Sequence, residues 1–247
     1  IWPGGEVVHR HEDECEEIAW APDGSALASV GGDGVVALTV MSPRSTRELM
    51  RSEKALSAVL WHGDMLVAGG KGATLVRIDR PLTDAVVRRL EGHKAEVDIL
   101  GVFMDGEPLL ASGASDGELR IWDGDAVRSF PSPEGSPLKG VEFLSRNQVA
   151  TVDRAGTLRI WDLLRGTAAS FGGGGVYRDL TVSPDRSWLA TASDDRTTVL
   201  WDVQTLDPIV LRGHRDAVLH VEIANDRLVS SGKEGDLRVW SLPARRT

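Results

Sequence analysis

The chain has 247 residues, 41% hydrophobic and 26% charged, with a formal net charge of -9. No apolar run reaches the roughly 18 residues of a membrane span, and the first residues lack the basic and apolar regions of a signal peptide, so the cytoplasm is the expected compartment. The acidic balance argues against wholesale nucleic-acid binding, which needs a basic face, and the lone Cys15 excludes an internal disulfide framework.

In chain order, Ile1-Trp2 reads as the end of a strand, and residues 5–10 as an outer strand following it. Six units come next, at about 15–40, 55–79, 95–123, 138–162, 177–202 and 217–241, each an alternating apolar run, a turn, a Leu-Ala-Ser/Thr-like run, a turn and a third apolar run. Val86 to Leu90, Ala126 to Phe130 and Pro208 to Leu211 are long enough for outer strands between units. Nothing after Trp240 supplies an outer strand to the last unit.

Trp122, Trp161, Trp201 and Trp240 close the third runs of the last four units, in Leu-Arg-Ile-Trp-Asp, Leu-Arg-Ile-Trp-Asp, Thr-Val-Leu-Trp-Asp and Leu-Arg-Val-Trp-Ser, at steps of 39, 40 and 39 residues. Thr39 and Ile78 hold the same place in the first two units. A fixed period near 40 with four antiparallel strands per period predicts an all-β chain, a β-propeller with six repeat units. The two ends predict a seven-bladed ring clipped at its N-terminus, with strand 5–10 belonging to a preceding blade or pairing with the last one.

Gly92-His93, Ser112, Asp116 and Trp122-Asp123 give the third unit the full pattern of the WD40-repeat family, which the chain resembles over essentially its whole length. The resemblance implies a hydrogen-bonded chain from Asp to His to Ser/Thr to the Trp indole in each blade. His11, Ser29 and Asp33 keep it in the first unit without the Trp; Thr191, Asp195 and Trp201 keep it in the fifth without the His. The sixth has His214, Ser230 and Trp240 with Glu234 for Asp, the fourth retains Thr151 and Trp161 with Ala155 for Asp, and the second, with Ala68 and Ile78, has lost the polar members. Stranding one buried partner costs about 1–3 kcal/mol, so the fourth and fifth blades are expected to be looser than the third.

In the family the turns bearing His and Asp share one rim, and this implies where docking residues lie. Glu14, Glu16, Glu96, Asp98 and Ser115 would form an acidic part, Lys71 stands in the second unit, and Lys139, Arg154, Arg178 and Lys233 would form a basic arc, with Asp194 beside it. An acidic or phosphorylated protein segment is the expected occupant of the arc. A solvated face of mixed charge is the plainer reading of the same residues.

The remaining signals are read structurally. His9, His11, Glu12, Asp13, Glu14 and Cys15 are assigned to a strand and turn rather than a metal site, since His11 already has a place in the repeat. The run Gly172 to Gly175 lacks the Lys-Ser/Thr and helix of a phosphate loop and is read as a turn. His62 and His220 fall outside the repeat register without a partner for catalysis, and no Arg follows the Trp-Asp pairs at the place used by ubiquitin-ligase adaptors. The expected function is a non-enzymatic scaffold for protein or peptide partners, without cofactor, metal or small-molecule substrate. The alternative is a regulatory propeller of a larger signalling or defence enzyme.

Overall fold

A computed structural model describes residues 7–172 and 175–243. The described residues form six antiparallel sheets, here called blades, and no helix among them is long and apolar enough to cross a membrane. Blade one is β1 (Cys15–Trp20), β2 (Ala26–Gly31), β3 (Val35–Met41) and β4 (Arg44–Arg51); blade two is β5 (Leu56–His62), β6 (Met65–Gly70), β7 (Thr74–Asp79) and β8 (Val86–Arg89). Blade three is β9 (Val97–Phe103), β10 (Leu109–Ala114), β11 (Glu118–Asp123) and β12 (Ala126–Pro131). Blade four is β13 (Leu138–Ser145), β14 (Gln148–Asp153), β15 (Thr157–Asp162) and β16 (Thr167–Gly172). Blade five is β17 (Tyr177–Val182), β18 (Trp188–Ser193), β19 (Thr197–Asp202) and β20 (Pro208–Arg212), and blade six is β21 (Val218–Ala224), β22 (Arg227–Gly232) and β23 (Leu237–Ser241).

The chain divides into two compact units, Ile1–Leu100 with Ala114–Asp116, and Gly101–Gly113 with Gly117–Thr247. Within each unit the blades are joined through apolar faces. In the first, Val36 and Leu38 of blade one pack with Leu56, Val59 and Trp61 of blade two. In the second, Leu158 and Ile160 of blade four meet Leu180 and Trp201 of blade five, and Ala190 and Leu200 of blade five meet Val221 and Ile223 of blade six. Second strands such as β6, β10 and β18 are buried along their whole length because both of their faces are covered. Outer strands such as β4 and β20 are largely exposed, so their sequences carry little apolar pattern.

The last blade has three strands among the described residues, as its sequence predicts. The expected strand at 5–10 does not form over its described part: residues 7–10 belong to no strand, while 5 and 6 lie outside the described residues, as do Ile1-Trp2 and the middle of the glycine run. The Val8 carbonyl instead accepts a hydrogen bond from the Thr46 hydroxyl of β4 at 3.1 Å, which lays this segment on blade one. The reason is local. Thr39 replaces Trp there, and the vacated ground is shared by Thr39, bonded to Thr46 at 2.9 Å, and by Val7 and Val8.

Candidate functional site

The polar network that locks the blades is built differently in each. In blade one His11 Nδ1 lies 3.0 Å from Asp33 Oδ1 and its Nε2 lies 2.9 Å from Ser29 Oγ, while the backbone N–H groups of Glu12 and Val35 donate to Asp33. In blade six His214 bridges Glu234 at 2.6 Å and Ser230 at 2.8 Å, and the Trp240 indole donates to Ser230 at 2.9 Å, so the longer Glu fills the Asp place without breaking the chain. Burial pushes the Glu234 carboxyl up, but hydrogen bonds from the backbone and His214 outweigh it and bring it down to about 2. Trp122 donates to Ser112 at 2.8 Å in blade three, where His93 is buried and Asp116 half-buried. Trp161 donates to Thr151 at 2.8 Å and Trp201 to Thr191 at 3.4 Å.

Two replacements escape a reading of the repeat alone. In blade four the missing His and Asp are answered by Arg159, whose guanidinium donates to Asp153 at 2.5 Å and also to Glu134, with Arg159 and Asp153 both buried. In blade five the buried Tyr177 hydrogen-bonds Thr191 and takes over contact with the hydroxyl that His would make; burial, and then Asp195, raise its phenol above the ordinary value. Asp195 turns to its own strand, accepting from Thr197 N at 2.9 Å and Thr197 Oγ1 at 2.5 Å. The signals were available: an acidic residue two places before Ala155, and the chain's one tyrosine at the start of a unit without His.

Backbone geometry puts the rim residues in register. Gly32, Lys71, Ser115, Arg154, Asp194 and Lys233 each donate a backbone N–H, at 2.8 to 3.0 Å, to the carbonyls of Glu14, Ala55, Glu96, Pro137, Val176 and Ala217 respectively. The inner strands β1, β5, β13, β17 and β21 shift register immediately beyond these carbonyls, which leaves Glu16, Ser57, Lys139, Arg178 and Leu219 as the extra residues of β-bulges. A bulge re-aims its side chain, and here it does so at one repeated place. Glu96 and Asp98 stand half-buried at the equivalent positions of blade three.

Within the second unit, Arg154, Arg178 and Lys233 gather around Asp194. Arg178 holds that carboxylate through Nε and Nη2, both at 2.6 Å. This bidentate bond is the main reason the Asp194 carboxyl sits below its ordinary range, with Lys233 and Arg154 adding to it after a smaller opposing effect of burial. Arg178 is therefore a neutralised member of the arc, while Lys139, Arg154 and Lys233 take part in no ion pair among the described residues.

A second charged group lies on the inner strands of the same unit and combines residues of three blades. Asp179 accepts the N–H groups of Leu180 at 2.9 Å and Val221 at 3.0 Å, tying blade five to blade six, and His220 Nδ1 stands 3.6 Å from it. Burial first, and then the charge of Glu222, push the Glu142 carboxyl up to about 7, with Arg186 opposing and Asp179 adding to the rise. Glu17 holds the matching place in blade one and accepts the Val59 N–H of blade two at 2.6 Å. No repeat pattern marks these residues, because each of them acts on a neighbouring blade.

Hydrolytic chemistry finds little purchase in this arrangement. Carboxylate, imidazole and hydroxyl are linked in triad order in blades one and six, but Ser29 and Ser230 are buried and Ser230 also receives the Trp240 indole. Cys15 is exposed, and burial of its thiol, followed by Asp33 and Glu16, raises its pKa and disfavours the thiolate.

Residues 85–123 and 169–202 match the family model described as "WD domain, G-beta repeat". The APC/C activator protein CDH1 of Saccharomyces cerevisiae is 26% identical over 254 residues, covering 96% of this chain and 44% of that protein. The WD repeat-containing protein srw1 of Schizosaccharomyces pombe is 23% identical over 261 residues, covering 98% and 47%. This chain thus spans about half the length of the curated relatives it matches. The crystal structure of the WD40 beta propeller domain of Doa1 superposes with a TM-score of 0.77 at 24% identity, over 94% of this chain and 80% of that one. Two segments of the chain thus match WD repeats, and its fold is that of a β-propeller.

Proposed function

We propose that this propeller is a non-enzymatic docking platform whose basic rim arc binds an acidic or phosphorylated segment of a protein partner in the cytoplasm. The observation that carries the reading is the placement of Lys139, Arg154, Arg178 and Lys233 at register-equivalent rim positions, three of them around one carboxylate. Asp194 gives the arc a resting state: it occupies the fork of Arg178, and an incoming phosphate or carboxylate gains Arg154, Lys139 and Lys233 and competes for that fork. The engagement of blade His, Ser and Asp side chains in structural bonds supports the absence of catalysis, and CDH1, named as an activator of APC/C, is a relative with a protein-directed role.

The test is an array of acidic and phosphorylated peptides, beside their neutral counterparts, probed with the wild type and with Lys139→Glu/Arg154→Glu/Arg178→Glu/Lys233→Glu. Selective binding of anionic peptides that the reversed protein loses supports the reading; equal binding by both proteins refutes it. A second reading, a regulatory propeller within a larger protein, is favoured by the share of each relative that this chain covers.

A further inference from the structure

In the second unit the two rim places of each blade form a pair: the extra residue of the β-bulge, and the residue whose N–H bonds the carbonyl just before the inner strand. Blade four has Lys139 and Arg154 there, blade five has Arg178 and Asp194, and blade six has Leu219 and Lys233. Of these three blades, the fifth sets a cation against an acid.

The backbone fixes both ends of that pair. The Asp194 N–H is held by the Val176 carbonyl at 2.9 Å, and the bulge between Tyr177 and Asp179 aims the Arg178 side chain, so that Nε and Nη2 reach the two carboxylate oxygens at 2.6 Å. Each group keeps the other ionised: the bond is the main cause that raises the Arg178 guanidinium and lowers the Asp194 carboxyl. The two side chains are 47% and 27% exposed, so a ligand reaches the pair from solvent. Arg154 and Lys233 act on the same carboxylate by their charge.

The arc therefore has an open part, Lys139, Arg154 and Lys233, and a closed part, the fork of Arg178. A single ligand carboxylate entering the fork exchanges one carboxylate for another and gains no bond there. A phosphorylated residue brings three acceptor oxygens and up to two charges, and acidic neighbours bring more. Such a segment meets the open cations as well, and that surplus is what displaces Asp194.

We propose that Asp194 is a built-in competitor, a latch that withholds Arg178 until a protein segment with clustered negative charge, a phosphorylated residue among acidic ones, is seated on the arc. The proposal rests on the docking reading and adds its regulation: the affinity of the arc is set by the acid within it as well as by its cations.

Peptides carrying Ser, Glu or phosphoserine at the centre of an acidic segment, titrated in phosphate-free buffer, test it with the wild type, Asp194→Asn, Arg178→Gln and the double variant. Asp194→Asn should bind the phosphoserine peptide about threefold to fivefold more tightly than the wild type, the scale of an exposed ion pair. In the Arg178→Gln background the same replacement should gain almost nothing, because no fork remains to be released. A gain that persists without Arg178 would show Asp194 to act as a diffuse charge, and no gain at all would show no competition; either result overturns the latch while wild-type binding upholds the docking reading. If neither the wild type nor Asp194→Asn binds any anionic peptide, both fall. Should a variant fail to fold by circular dichroism, the Arg178 Nε–H resonance of the ¹⁵N-labelled wild type gives a second test: it should move as the phosphoserine peptide replaces Asp194, and a resonance unmoved at saturation overturns the proposal.

Discussion

Replacing Arg159 by Met removes a guanidinium from the interior of blade four while keeping most of the side-chain length. Arg159 and Asp153 are 2% and 0% exposed, so the Asp153 carboxylate would lose its 2.5 Å ion pair without gaining water. Among the described residues, the Thr157 N–H at 3.0 Å would still donate to it. Leaving a buried charge uncompensated costs about 3–5 kcal/mol, which in a chain of this size lowers the melting temperature by about 6–20 °C. Asp153→Leu/Arg159→Met removes both charges and should recover to within about 1 kcal/mol of the parent, because a buried pair replaced by apolar groups is often neutral. The assay is urea unfolding of the parent, both single variants and the double variant, followed by tryptophan fluorescence and far-ultraviolet circular dichroism. A coupling energy of about 2 kcal/mol or more is expected from the cycle. Arg159→Met within about 1 kcal/mol of the parent, or a double variant as unstable as the singles, would refute the claim that this pair replaces the His and Asp of the blade lock.

Further outcomes follow from the same geometry. Glu142 has a native pKa of about 7 against an ordinary 4.5, so the folded state binds its proton more tightly. Its penalty is absent below the unfolded value, grows as pH rises through that window, and is fully present above about 7, amounting to up to about 3 kcal/mol. Glu222, raised in the same direction by burial and Asp179, adds to the effect; Glu142→Gln should raise the urea midpoint at about pH 8 but barely change it at about pH 4, and equal changes at both would contradict the burial argument. Gly232→Ala would bring a Cβ to 2.5 Å from His214 Nδ1 and against Glu234, so it should cost about 1–3 kcal/mol in chemical unfolding; Gly172→Ala, whose Cβ meets nothing within 4 Å, serves as the neutral control. Trp122→Ala should cost about 3–5 kcal/mol by the same measurement, since a buried indole and its bond to Ser112 are lost together.

The blade plan was legible in the sequence because it repeats. Alternation, turn residues and the period pointed to the first three strands of each unit and to the outer strands near 86–90, 126–130 and 208–211, whereas β4 and β16 were not marked, and the Glu at 234 was recognisable from its register. Other features are products of contact between unlike segments. Arg159 looks like any Arg of the Leu-Arg-Ile-Trp run, yet its counterparts Arg120 and Arg238 pair with Glu118 and Asp236 two residues earlier, where blade four has Thr157. Lacking that neighbour, Arg159 turns inward to Asp153. The sequence also counted Arg178 as a charge of the arc, although its bidentate partner Asp194 stood among the rim residues already named. The expectation of a strand at 5–10 followed the likeness of the two chain ends, whereas residues 7–10 follow the vacancy left by Thr39.

Affinity capture at physiological salt, read by mass spectrometry, tests the docking reading most directly when three baits are compared: wild type, the four-residue reversal of the basic arc, and a reversal of Glu14, Glu16, Glu96 and Asp98 to Lys. Partners retained by the wild type and the acidic-side reversal but lost from the basic-arc reversal are the predicted result. Recovery of the same proteins by all three baits would contradict it.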